Sequence, residues 1–264
     1  PIFREGGLTM ELHLAYPGLF DQEAGAQLAA VMGAPRQLNP RQRILRANVA
    51  RTGALYIQRG FAARYRLDRS GRRQFIGVLI PGDFAGLSSF ALGRLDHDID
   101  SINSVRLQSI SHDQLGTLQT TSPELLCRLW QLTLLDSAIS RYWIFRIGRL
   151  PGLARIANFF CEMLVRQYVR GLCGTDRFEL PLTQSDLGEA CGMTPVHANR
   201  MIGELRAEGI CNFMDGAVEV GDFAGLFRMG QYSWDYLYLP DAVSADLRRR
   251  LTPAATRGIA LGLR

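Results

Sequence analysis

Gln184-Ser185-Asp186-Leu187-Gly188-Glu189-Ala190-Cys191-Gly192-Met193-Thr194-Pro195-Val196-His197-Ala198-Asn199-Arg200-Met201-Ile202-Gly203-Glu204-Leu205-Arg206 reads as two short helices joined by a tight turn. Counted from Gln184, small or apolar residues occupy positions 4, 5, 8, 9, 10, 15 and 18, the spacing of a helix-turn-helix. Each has a mechanical reason. Gly188 carries no side chain, so the second helix can cross close over the first, and Gly192 permits the positive φ of the turn. Thr183 suits the amino-terminal cap of the first helix, with Asp186 three residues on. Thr194 caps the second helix, with Pro195 at its first turn.

The second helix is then expected to lie in the major groove of DNA with its amino-terminal residues toward base edges. Val196, His197, Asn199, Arg200 and Gly203 fall on its outward side. Arg200 suits a bidentate contact to guanine, Asn199 suits adenine or phosphate, and His197 suits phosphate. The candidate DNA-contacting residues are Thr194, Val196, His197, Asn199, Arg200 and Arg206, with Arg228 as a further phosphate contact. Gly209 ends the helix, and residues 210–213 and 217–220 flank Asp215-Gly216 as a two-stranded wing.

Upstream, residues 122–148 contain no proline or glycine between Pro123 and Gly148 and carry Leu125, Leu129, Leu132, Ile139 and Trp143 on one seam. Such a seam between two domains suits pairing with the same helix of a second copy, so these five are the expected dimer interface. Asp136 and Arg146 interrupt the stripe and shorten it. Pro151-Gly152 ends this helix, and another follows over 153–170 before a loop at 171–177.

The amino-terminal part has a different texture. A helical lead over 21–32 precedes short β-rich runs at 43–49, 54–58, 62–67, 74–80 and 105–111, with turns at Ser70-Gly71 and Pro81-Gly82-Asp83. The chain is therefore expected to be α+β, divided into an antiparallel β-domain (20–121), a dimerisation helix (122–150), a winged helix-turn-helix (151–240) and a solvated tail (241–264) containing Arg248-Arg249-Arg250.

With 264 residues and 47% hydrophobic content, the chain is long enough for two cores. It has no apolar run of membrane-spanning length and no secretory pattern at its start, so the cytoplasm is the expected compartment. All 30 basic residues are arginine and the net charge is +5, which permits a polyanionic partner without requiring one. Cys127, Cys161, Cys173, Cys191 and Cys211 include no closely spaced pair, which argues against a zinc ribbon or clustered iron–sulfur ligands.

Thr183 through Gly188, Gly192 through Arg200 and Glu204 through Ile210 resemble the carboxyl domain of the Crp/Fnr family of bacterial regulators. The likeness extends to Gly71-Arg72-Arg73-Gln74 and Pro81-Gly82-Asp83-Phe84-Ala85-Gly86, and so covers roughly residues 20–240. It implies an antiparallel β-roll of cyclic-nucleotide-binding type, a long dimerisation helix and a carboxyl-terminal winged helix-turn-helix. It also implies an acidic residue and an arginine on the recognition helix. The arginine matches Arg200, but the acidic position is Val196, so the usual half-site readout does not carry over. Members that bind cyclic nucleotides hold the phosphate with a Gly-Glu pair followed by an Arg-Ala or Arg-Ser/Thr pair. Here Leu87-Ser88-Ser89-Phe90 follows Gly86, and Asp96-His97-Asp98-Ile99-Asp100 lies where the arginine is expected. An acidic cluster repels phosphate, so cyclic nucleotide is not the expected effector. Members that sense oxygen through an iron–sulfur cluster use grouped amino-terminal cysteines, and no cysteine precedes Cys127, so no cofactor is assigned.

Several features have plainer readings. Asp96 to Asp100 around His97 reads as a solvated loop, and the ten arginines from Arg41 to Arg73 read as the solvated face of the β-domain. Trp234, Tyr236 and Tyr238 read as packing against the winged helix. The competing class is a metal- or small-ligand-binding, enzymatic β-roll with an appended DNA-binding domain; four histidines, one of them on the recognition helix, supply few ligands for it. No catalytic residue or metal site is assigned. The expected partners are double-stranded DNA, a second copy of the chain and RNA polymerase.

Overall fold

The computed structural model describes residues 10–251. Two short helices, α1 (Leu12–Ala15) and α2 (Gln22–Ala30), lead into eight strands. These are β1 (Arg36–Leu38), β2 (Arg43–Leu45), β3 (Gly53–Arg59), β4 (Ala62–Leu67), β5 (Arg73–Leu79), β6 (Phe84–Ala85), β7 (Asp98–Ser101) and β8 (Val105–Ser111), with helix α3 (Ser89–Leu92) between β6 and β7. They form two four-stranded antiparallel sheets, in the orders β1-β8-β3-β6 and β2-β7-β4-β5. Ile44, Leu55, Ile57, Leu79, Ile99, Val105 and Leu107 form a buried cluster within this β-roll.

Two expectations for this half need correction, while the last strand ends at the expected residue. The run at 43–49 pairs only over Arg43–Leu45, because the chain turns through Asn48 in the left-handed region (φ 59°). The β-texture ends at Ser111, whose hydroxyl and the Gln114 side chain make a reciprocal capping box that starts helix α4 (His112–Thr121). The acidic segment is not a loop: Asp98 to Ser101 is β7, paired on both sides. Arg43 ties down Asp98 and Asp100 on that strand, and the Tyr65 hydroxyl donates to Asp100 Oδ2 at 2.9 Å. A charge cluster reads as solvated only while its cross-strand partners are unknown.

Helix α5 (Pro123–Arg149) has proline in its first turn and stops before Leu150-Pro151. Its seam faces inward. Leu125, Leu129 and Leu132 pack with Leu28, Tyr56, Ile110, Leu115 and Leu118 of the same chain, Trp143 sits edge-on against Phe159 at 5.7 Å, and Ile139 is half-buried against the carboxyl-terminal core. The residues expected at a dimer interface are thus consumed within one chain; helical periodicity identifies a face that must be buried, not what buries it. The opposite side of α5 remains open. Cys127, Trp130, Leu134, Ser137, Arg141, Ile144 and Gly148 are exposed and spaced alternately three and four apart.

The remaining elements are α6 (Gly152–Val169), β9 (Arg177–Glu179), α7 (Gln184–Cys191), α8 (Pro195–Ala207), β10 (Cys211–Met214), β11 (Ala217–Val220), α9 (Phe223–Gly230) and α10 (Asp241–Leu251). The last covers the first part of the segment expected to be a solvated tail. Leu247 is fully buried and Asp246 accepts from the Tyr168 hydroxyl at 2.5 Å, so 241–251 belongs to the fold; the rest of that expectation lies outside the described residues. Trp234 and Tyr232 are buried, and Tyr236 stacks flat on Tyr142 of α5 at 3.9 Å, while Tyr238 is exposed. No helix among the described residues is long and apolar enough to cross a membrane.

A buried ionic chain joins the parts. Asp83, after the Pro81-Gly82 turn, accepts from Arg166 at 2.5 Å and from Arg170 at 2.7 Å, both on α6. Arg166 also donates to Glu162 at 3.3 Å, and Glu162 in turn accepts from Trp143 at 3.0 Å, from Tyr236 at 3.2 Å and from the fully buried Arg146. Burial alone would raise the pKa of both carboxyls; the neighbouring guanidinium charges outweigh it and hold both below their ordinary values.

Candidate nucleic-acid interface

The helix-turn-helix is assembled by short-range rules. The Thr183 hydroxyl accepts from the Asp186 amide, and the Asp186 carboxylate accepts from the Thr183 amide at 2.9 Å, a capping box that closes the first turn of α7. Gly192 ends α7 at φ 61°. A Cβ on Gly188 would lie 2.8 Å from the Met193 carbonyl oxygen, so only glycine lets the turn fold back this closely. Thr194 caps α8 by accepting from the His197 amide at 3.3 Å, with Pro195 in the first turn. Leu187, Cys191, Ala198 and Leu205 are fully buried between the helices.

On the outer side of α8, Thr194, Val196, Asn199, Arg200 and Arg206 are exposed. Val196 is 82% exposed, and the Arg200 side chain is 67% exposed with only Glu204 nearby at 3.9 Å. Such an exposed i,i+4 pair contributes little and leaves the guanidinium available. Asn199 accepts from the Gln184 side chain at 3.2 Å, which orients its amide. His197 departs from the outward expectation. It is half-buried, with its ring so close to Gly152 that a Cβ there would lie 2.6 Å from Nε2. Arg228 is exposed but approaches Asp222 at 3.4 Å.

The wing is β10 and β11, joined through Asp215 and Gly216, both at positive φ as a tight hairpin requires. β9 adds a third strand beside β11, in a segment whose first part reads as loop in the sequence. Sequence reasoning missed Arg155, which donates to the carbonyls of Cys191 and Gly192 at 2.9 and 3.2 Å and so holds the carboxyl end of α7. It also missed how the β-roll grips α7. Arg41 and Arg73 reach Asp186, Arg73 reaches Glu189 at 2.6 Å, and Gln74 donates to the Glu189 carbonyl at 2.5 Å. The arginine-rich face is therefore only partly solvated, and Arg64 too is buried, donating to the Phe84 carbonyl at 3.0 Å and pairing with Asp136 of α5.

Between the β-roll and α5 lies a cavity of about 50 Å³ bordered by Arg64, Asp83, Ser88, His97, Thr133 and Asp136. Burial holds the His97 imidazole below its ordinary pKa, although Asp96 acts in the opposite direction. Among the described residues, no group of three or more histidine, cysteine, aspartate or glutamate side chains is arranged to hold a metal ion.

A capped two-helix unit with an open second helix and an adjoining hairpin defines a winged helix-turn-helix DNA-binding regulator. Residues 154–229 match the family model of the Crp-like helix-turn-helix domain, so this part of the chain is a DNA-binding domain of that type, and the relatives it resembles are transcription regulators. It is 26% identical over 167 residues to the nitrogen fixation regulation protein FixK of Bradyrhizobium diazoefficiens, covering 63% of this chain and 69% of that protein. The transcriptional activator protein FnrL of Cereibacter sphaeroides is 26% identical over 176 residues, covering 64% and 69%. The same fold is seen in the structure of FixK2 from Bradyrhizobium japonicum, with a TM-score of 0.67 at 20% identity over 74% of this chain and 96% of that one.

Proposed function

We propose that this regulator works as a cytoplasmic homodimer that reads a palindromic DNA site and acts together with RNA polymerase, without enzymatic activity of its own. The observation that carries this reading is the run of exposed Thr194, Val196, Asn199, Arg200 and Arg206 along one side of α8, unobstructed by the rest of the chain. Arg200 reads a guanine, Asn199 reads an adenine or grips a phosphate, and Arg206 holds phosphate. The α5 face containing Trp130, Leu134 and Ile144 pairs with its counterpart in a second copy. Two recognition helices then stand about 34 Å apart, one turn of DNA.

The effector is a species other than cyclic nucleotide. Leu87-Ser88-Ser89-Phe90 follows Gly86, and the acidic strand β7 stands where a phosphate-binding arginine is expected, so neither element of the cyclic-nucleotide motif is in place. The buried chain Asp83–Arg166–Glu162–Arg146 offers the physical path from the β-roll to α5 and the DNA-binding half. Selection of bound sequences from a random DNA pool tests the reading: enrichment of an inverted repeat supports it, and enrichment of nothing overturns it.

A further inference from the structure

Val196 is more exposed than any other large apolar residue among those described, at 82%. It is the second residue of α8, beside Pro195, and belongs to none of the buried clusters. A β-branched residue there neither favours the helix nor strengthens the fold. Arg200 stands one turn further along the same face. Their Cβ atoms are about 5–6 Å apart at that spacing, while stacked base pairs rise about 3.4 Å. The two side chains therefore address base pairs no more than two steps apart.

The major groove presents hydrogen-bonding atoms at every base, but only thymine adds a methyl group. A carboxylate at this position would accept from the cytosine amino group. An isopropyl group has no atom that can pair with cytosine or guanine and would strip water from those polar edges without replacing it. We propose that Val196 is a specificity-determining residue that packs against the C5-methyl of a thymine within two base pairs of the guanine read by Arg200. This rests on the DNA-reading role of α8 given above. Arg200, with no carboxylate one turn before it and only Glu204 at 3.9 Å after it, is free to turn to the neighbouring guanine.

The test uses the full chain and its selected site, with thymines replaced one at a time by deoxyuridine to remove single methyl groups. At one position in each half-site the Kd rises about four-fold per half-site, the loss for one buried methyl. Val196→Ala abolishes that sensitivity, and Val196→Glu moves the selected base at that position from thymine to cytosine. The residue is exposed, so both variants keep the fold. Tight binding with no sensitivity to any uracil, or equal sensitivity in Val196→Ala, overturns this assignment alone. Failure to bind any sequence overturns it together with the regulator reading.

Discussion

Arg41 of the β-roll and Asp186 of α7, 145 residues apart, form a forked ion pair, with Nη1 to Oδ1 at 2.9 Å and Nη2 to Oδ2 at 2.6 Å. The same carboxylate accepts from Thr183 and Arg73, so one buried group both caps the helix-turn-helix and docks it on the roll. Removing the half-exposed Arg41 leaves the buried Asp186 carboxylate paired with Arg73 and Thr183, whereas replacing the carboxylate weakens all of these contacts at once. Asp186→Asn is expected to lower stability by about 3 kcal/mol and Arg41→Ala by about 1 kcal/mol or less. Urea unfolding distinguishes them, and equal small losses would contradict the docking role.

Asp83 makes stability pH-dependent. Burial acts to raise its pKa, but Arg166 and Arg170 outweigh it and hold the group at about 2, against an unfolded value of 3.8. Because the folded pKa is the lower one, its contribution is complete above about pH 4 and is lost as pH falls through about 2. The size is about 2 kcal/mol. Unfolding midpoints measured from pH 5 to pH 2 should fall less steeply in Asp83→Asn than in the parent.

The two faces of α5 make opposite predictions. Leu134→Glu and Ile144→Glu, at exposed positions, are expected to give a monomer with an intact fold, as read by light scattering and circular dichroism. Leu129→Ala is expected to cost about 2–5 kcal/mol of stability through the cavity it leaves in the chain's own core. A dimer that survives both glutamates would place the interface elsewhere.

Arg200→Ala is expected to weaken binding to the selected site by about 1–3 kcal/mol and to relax specificity at one base pair per half-site. Fluorescence anisotropy against a set of single-base variants reads both effects. An unchanged Kd would remove Arg200 from base readout.

What was legible in the sequence was what local rules decide. The caps at Thr183 and Thr194 and the turn at Gly192 depend on residues within one helical turn, and β4 and β8 announce themselves by composition between turn signals. Long-range relationships were not legible. Nothing near Asp83 in the chain points to Arg166, and the acidic strand β7 looks like a loop until Arg43 is placed beside it. The apolar stripe on α5 was visible, but its partner was the chain itself, and the interface candidate is the less continuous face behind it. His197 shows the same limit, since helical phase alone did not reveal that its ring lies against Gly152.

The central claim is that two chains present paired recognition helices to two half-sites one turn of DNA apart. It is tested most directly by measuring Kd for the selected inverted repeat and for the same repeat with five base pairs inserted between its halves. Half a turn rotates one half-site to the opposite side of the duplex, so the account predicts tight binding to the first and a fall to the level of an isolated half-site for the second. Equal affinity for the two would contradict it.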